Sequence, residues 1–158
     1  MTRTEFLDTA THAALAASRS SRLPAGVTVA QAALESAWGR SRLSREAHNY
    51  FGIKAHGSHP WIELPTTEVE KGTAVRVRAR FALYRSMEEC FTDRDLLILK
   101  SPRYRAARAA AANPEEFICS LALHWATDPQ YADKLLRVYR SNKLSDLDTP
   151  DYSSTAAP

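Results

Sequence analysis

Val29-Ala30-Gln31-Ala32-Ala33-Leu34-Glu35-Ser36-Ala37-Trp38-Gly39-Arg40-Ser41 is the stretch whose reading decides the fold. Ala, Leu, Gln and Glu are good helix formers, and Thr28 is a residue type that caps helix starts. At about 100° per residue, Val29, Ala30, Ala33, Leu34 and Ala37 spread over one broad apolar arc. Gln31, Glu35 and Trp38 fall together at its edge. A carboxylate is thereby set at the margin of a buried face, one turn from an amide and beside an indole. Gly39 tolerates positive φ and is the expected stop. A carboxyl at an apolar margin loses solvation, which disfavours its charged form and suits it to donate a proton near neutral pH.

Outward from this helix, the period tells the other elements apart. Upstream, Phe6, Leu7, Ala10, Ala13, Ala14 and Ala17 recur at helical spacing, so residues 4–20 are expected to be a helix, with a polar connector over 18–26. Downstream, residues 42–47 suit a further short helix. The helical period then stops. Residues 61–69 have strand character, Glu70-Lys71-Gly72 is a turn signal, and residues 74–81 alternate strictly, with Val75, Val77, Ala79 and Phe81 on one face and Arg76, Arg78 and Arg80 on the other. That is a β-hairpin. Ser86 with Glu89 has capping-box spacing ahead of a helix to about Leu99, and Ser101-Pro102 breaks it. Residues 103–112 are helical in propensity. Asn113-Pro114 and Asp128-Pro129 open two more helices. Residues 145–158 hold little to bury and read as a disordered tail behind a domain of residues 1–144. The expected class is α+β, mainly α, with one inserted hairpin.

Composition excludes several classes. The 158 residues carry 21 Lys and Arg against 18 Asp and Glu, a net charge of +3 that mildly favours an anionic partner. No run of about 18 apolar residues is present to cross a membrane. The N-terminal residues lack an apolar core of the secretory type, so export is expected to depend on another route. Cys90 and Cys119 sit in helix-like segments and are expected to be buried thiols. The five histidines, His12, His48, His56, His59 and His124, show no metal-ligand spacing, and no metal or cofactor is inferred. The Arg76–Arg80 row and the basic residues of 100–108 would suit nucleic acid, but no helix-turn-helix or aromatic platform accompanies them.

Four segments in order carry a resemblance: AALESAWGRS (32–41), NYFGIK (49–54), PTTEVEKG (65–72) leading into a strand that ends at FALY (81–84), and ATDPQYADKL (126–135). Together they resemble the glucosaminidase domain of glycoside hydrolase family 73, which includes bacterial autolysins, the wall-cutting domain of the flagellar rod-assembly protein and many phage lysins. The resemblance spans residues 5 to 144. It implies a lysozyme-like, mainly helical fold whose hairpin flanks a substrate groove, and hydrolysis of the β-1,4 bond after N-acetylglucosamine in the peptidoglycan glycan. The family's general acid falls on Glu35, the hairpin carboxylate used by some members on Glu68, and the tyrosine of the last helix on Tyr131. Asn49, Tyr50 and Phe51 are implied to line the groove. Tyr50 stands where Leu is common, and His124-Trp125 precede the ATD segment, which leaves subsite preference open.

The residues themselves set the remaining expectations. Glycoside hydrolysis needs a proton donor and a group that handles the oxocarbenium-like centre. Period 2 puts Glu68 and Glu70 on one face, so spacing does not choose between them, and Glu63 lies on the same strand. The substrate N-acetyl group could replace a second carboxylate altogether. Tyr131 would then steady charge or orient water. Trp61 joins Tyr50 and Phe51 as an aromatic that could stack on a sugar, Gln31 is a candidate substrate contact, and Trp38 is expected to pack under Glu35. The competing activities are those of an N-acetylmuramidase, a lytic transglycosylase, or a non-catalytic basic binding module. The expected partner is the glycan strand, with no nucleic acid, no membrane insertion and a monomeric enzyme. Cytoplasmic accumulation with holin- or secretion-dependent release, as in a phage or prophage lysin, is the matching expectation for location.

Overall fold

The computed structural model describes residues 1–149. In chain order these form α1 (Arg3–Ser21), α2 (Ala25–Ser36), α3 (Arg42–Ala47), β1 (Trp61–Glu70), β2 (Thr73–Ala82), α4 (Met87–Lys100), α5 (Arg105–Ala109), α6 (Pro114–Trp125) and α7 (Tyr131–Ser141). A short 3-10 turn, Pro102–Tyr104, precedes α5, and another, Leu144–Leu147, follows α7. The fold is α+β, mainly helical, with one antiparallel hairpin.

The central helix begins earlier than its spacing suggests. α2 starts at Ala25 behind Pro24, and Thr28 lies inside it, buried, with its hydroxyl on the Pro24 carbonyl at 3.2 Å. The expected Thr28 cap is therefore corrected. The cap comes instead from far along the chain: the Gly26 N–H donates to the Asp148 carboxylate at 2.9 Å, where an anion suits the positive end of the helix. Nor does α2 present a single apolar arc. Residues 25–33 are all buried, Gln31 included, because Ala and Gly let α1, α4, α7 and the Leu144–Leu147 turn approach closely from several sides. The stop takes three residues, with Ala37, Trp38 and Gly39 at φ of 50°, 60° and 77°.

That left-handed run carries Trp38 away from the expected position under Glu35. Its ring packs edge-on against Phe6, with centroids 5.8 Å apart, and the Arg3 guanidinium lies 4.5 Å above it. Phe6, Tyr50, Phe91, Phe51 and Trp125 then follow one another through the core in tilted or edge-to-face pairs. Cys90 belongs to this core, and burial pushes its thiol up to about 12. Cys119 does not; it is exposed on α6, contrary to the expectation of two buried thiols.

The hairpin pairs Trp61 with Ala82 at its base and Glu70 with Thr73 at its tip. Lys71 and Gly72 both take positive φ, 50° and 78°, the two-residue turn that matches strand twist. Among its residues only Leu64, Phe81 and Ala82 are buried, and Phe81 and Ala82 sit at the base. The arginine row faces out and finds partners on the hairpin itself: Arg76 on Thr67, Arg78 on Glu63, and Arg80 over the Trp61 ring at 4.2 Å. Of the three charges, that of Arg78 is answered by a carboxylate, Glu63 on β1.

The expected unstructured tail does not begin at residue 145. Leu144 is buried, residues 144–147 turn back on α2, and Asp148 accepts from Gly26 and from the Tyr139 hydroxyl at 2.9 Å. These residues escaped a composition-based reading because their work is done by one Leu and one carboxylate. The remainder of that expected tail, residues 150–158, lies outside the described residues.

Candidate active site

A cleft of about 840 Å³ runs between the inward face of the hairpin and the helical body. Glu35 from α2 and Glu68 from β1 both line it. So do Phe51, Lys54, Arg103 and Trp125. The strand period explains Glu68: with Ile62, Leu64 and Thr66 it belongs to the inward, less exposed set of β1. Glu70 shares that period but lies at the turn, exposed and outside the cleft lining, so the structure separates two carboxylates that spacing alone did not. Glu63 points outward to Arg78.

Glu35 is anchored from behind. The Tyr131 hydroxyl donates to its Oε1 at 2.6 Å. The Gln31 amide, one turn back on α2, donates to the same Tyr131 oxygen at 3.2 Å. Burial raises the Glu35 carboxyl above the usual carboxylate range; the Tyr131 hydrogen bond and, less strongly, the Trp125 indole oppose the rise. The indole beside the carboxyl is therefore Trp125, at the end of α6, and not Trp38. Tyr131 is itself held far above the ordinary phenol range by burial and by the Glu35 charge. It is a hydrogen-bond donor here, not a base.

Glu68 faces a different environment. Its carboxylate receives the Lys54 ammonium at 2.6 Å, with both side chains about half exposed. Lys54 also lies 4.8 Å from the Phe81 ring and bridges to that residue through the backbone, so the loop after α3 is tied to both strands. Glu35 thus has a protonation-favouring site and Glu68 an ion-paired, solvated one. Two carboxyl groups in one cleft with environments this different are suited to different roles.

The other expected contacts divide. Phe51 lines the cleft while being 3% exposed. Asn49 does not reach it: its amide donates to the Ile53 and Ala82 carbonyls, each at 2.9 Å, and its oxygen accepts from the Ile53 N–H, so it builds the loop that carries Lys54. Tyr50 is buried between Phe6 and Phe91. Trp61 is exposed on the hairpin, outside the cleft lining, under Arg80. Gln31 is fully buried and touches Tyr131 rather than the cleft. What sequence reasoning missed is Trp125 as the neighbour of Glu35, together with the Arg103 and Tyr104 side of the cleft.

A glucosaminidase family model, described as mannosyl-glycoprotein endo-beta-N-acetylglucosaminidase, matches residues 11–144. The chain belongs to the glucosaminidase family. It is 39% identical over 144 residues to the peptidoglycan hydrolase FlgJ of Escherichia coli strain K12, covering 87% of this chain and 46% of that protein. Among solved structures, it is similar to a C-terminally truncated glycoside hydrolase domain of Salmonella typhimurium FlgJ, with 39% identity, a TM-score of 0.74, and coverage of 90% and 98% of the two chains. It is also similar to the catalytic domain of the autolysin Auto from Listeria monocytogenes, with 29% identity, a TM-score of 0.83, and coverage of 92% and 86%. The chain spans about half the length of the FlgJ proteins it matches.

In this member of the family the raised Glu35 carboxyl has a stability signature. The unfolded chain holds Glu35 at its ordinary pKa and the folded chain holds it higher, so folding binds the proton more tightly. The associated stabilisation is fully present below the unfolded value and is lost as pH rises through the folded one. Glu35→Gln, neutral throughout, is expected to melt above the wild type at neutral and alkaline pH, with the gap closing in acid. Thermal scans of both proteins across pH check this; a gap that does not change with pH contradicts it.

Proposed function

We propose that this chain hydrolyses the β-1,4 bond after N-acetylglucosamine in the peptidoglycan glycan, acting at the cell wall, with Glu35 as the general acid. The observation that carries this reading is the carboxyl held partly desolvated on Tyr131 at the wall of an open cleft. A protonated Glu35 gives its proton to the leaving oxygen as the bond to the anomeric carbon breaks, and water supplies the hydroxyl that the anomeric carbon gains. Trp125 and Phe51 offer apolar surface for sugar faces, and Arg103 supplies a cation where an anionic stem peptide could lie. The comparisons support the polymer: relatives over the matched region are named peptidoglycan hydrolases. Mass spectrometry of fragments released from purified peptidoglycan tests the bond. N-acetylglucosamine at the new reducing ends is expected. N-acetylmuramic acid there would instead indicate a muramidase, and an anhydro sugar a lytic transglycosylase.

We assign Glu68 as the second carboxylate, acting on the opposite side of the scissile bond. Glu68→Gln is expected to slow hydrolysis by about 10- to 100-fold, less than loss of the acid. If turnover is unchanged, the substrate N-acetyl group performs this step and Glu68 is a wall residue. The sparse burial of the hairpin beyond its base gives it room to close over a glycan. Amide exchange in residues 64–75 is expected to slow when a chitooligosaccharide is added; identical exchange excludes closure.

A further inference from the structure

The acid has a second support, deeper than Tyr131. Arg94 on α4 is fully buried and reaches neither the cleft nor Glu35. Its Nε and Nη2 both donate to the Gln31 Oε1, at 3.0 and 2.7 Å. Its Nη1 donates to the Thr28 hydroxyl at 2.9 Å and to Asp95 at 2.8 Å, and Asp95 in turn accepts from Ser21 at 2.6 Å. The guanidinium is 5.6 Å from the Phe51 ring centroid.

The hydrogen bonds of this chain have only one consistent direction. A guanidinium has donors and no acceptor, so Gln31 must turn its oxygen toward Arg94. The Gln31 NH2, which has donors only, is then left facing the Tyr131 oxygen. That oxygen must accept, and the phenol hydrogen is sent to its other neighbour, Glu35 Oε1. With Oε1 accepting, the Glu35 proton is left to the other oxygen. We propose that Arg94 is a positioning residue for the acid: its donor-only side chain, acting through Gln31 and Tyr131, fixes which Glu35 oxygen carries the transferable proton. This rests on Glu35 being the general acid. The charged and titratable groups along this relay are Glu35 on α2, Arg94 and Asp95 on α4 and Tyr131 on α7, and the cleft wall adds Lys54 and His56 of the loop after α3, Glu68 of β1, Arg103 and Tyr104 ahead of α5, and His124 of α6.

Arg94→Gln and Arg94→Lys separate this role from packing. Glutamine can present either a donor or an acceptor to Gln31, so the direction is no longer imposed. Lysine, like arginine, only donates. In folded Arg94→Gln, kcat on peptidoglycan is expected to fall by about 10- to 100-fold with KM little changed, as for a misplaced catalytic group. The basic limb of its pH profile should move upward, because the Tyr131 bond that lowers the Glu35 pKa is weakened. Arg94→Lys should restore the wild-type limb even if it melts as low as Arg94→Gln. A structural role alone would leave both limbs at the wild-type pH, and that result overturns the proposal. Should Arg94→Gln fail to fold, Gln31→Glu asks the same question. It keeps an acceptor for Arg94 but sets a second acceptor against Tyr131, and unchanged kcat and pH profile there overturn the proposal equally. Glu35→Gln is measured alongside. If it stays active, the reading of the acid fails; if it is inactive while the Arg94 and Gln31 variants behave as wild type, only the positioning role fails.

Discussion

Glu35→Gln is expected to reduce peptidoglycan hydrolysis by at least about 100-fold while the protein still folds cooperatively, since general acid catalysis typically contributes 10²–10⁴-fold. The substitution keeps the volume and leaves the Tyr131 hydroxyl an amide oxygen to donate to, so the wall of the cleft is preserved. It removes only the transferable proton. The variant should therefore bind glycan as the wild type does, and melt higher at neutral pH. Activity is read by turbidity clearing and the fold by a thermal scan of the same sample. An active, folded Glu35→Gln would move the chemistry to another group, and Glu68 would be the first to examine. This pairing of lost activity with higher stability marks a catalytic group held against its solvation preference.

Gly26→Ala is expected to cost about 3 kcal/mol of stability, the upper part of the range for overpacked sites. A Cβ at Gly26 would lie 2.1 Å from the Leu144 carbonyl oxygen and 2.6 Å from an Asp148 carboxylate oxygen. Both belong to the segment that closes over the start of α2, so either the Leu144–Leu147 turn lifts or the helix start shifts. At about 2–4 °C per kcal/mol for a domain of this size, the midpoint should fall by about 6–12 °C. A loss under about 2 °C would show that the 144–148 segment is not packed on α2 as described. Asp148→Ala gives a smaller companion effect of about 1–2 kcal/mol through the lost cap. Burial raises the Asp148 carboxyl above its ordinary range, outweighing the backbone N–H groups at the start of α2 and the Tyr139 hydroxyl, which favour its charged form.

These two sites also mark what could be read from the chain beforehand. The hairpin was legible because strict alternation over residues 74–81 has no helical counterpart, and its turn is spelled out by Lys71-Gly72. The half-buried position of Glu35 follows from its place beside the apolar residues of α2, but the same edge does not foretell the full burial of Gln31. The start of α2 was not legible, because the anion that caps it is Asp148, more than a hundred residues away. Helical geometry does not place Trp38, because residues 37–39 turn left-handed. The resemblance implies Asn49 and Tyr50 as groove contacts, yet they build and bury the loop that presents Lys54, a distinction set by tertiary packing. Arg94 could have been found: Met87, Cys90, Phe91 and Ile98 define the buried stripe of α4, and position 94 falls on it. A charged residue on a buried stripe needs partners, and here they lead through Gln31 and Tyr131 to Glu35.

The central claim is that burial keeps Glu35 protonated long enough to serve as the donor. Carbon-13 NMR titration of the glutamate carboxyls, with the Glu35 signal assigned by its loss in Glu35→Gln, tests it most directly. The account predicts that Glu35 titrates above the ordinary glutamate range, and that its midpoint coincides with the basic limb of kcat/KM. A Glu35 midpoint in the ordinary range, or a basic limb that follows some other group, would contradict it.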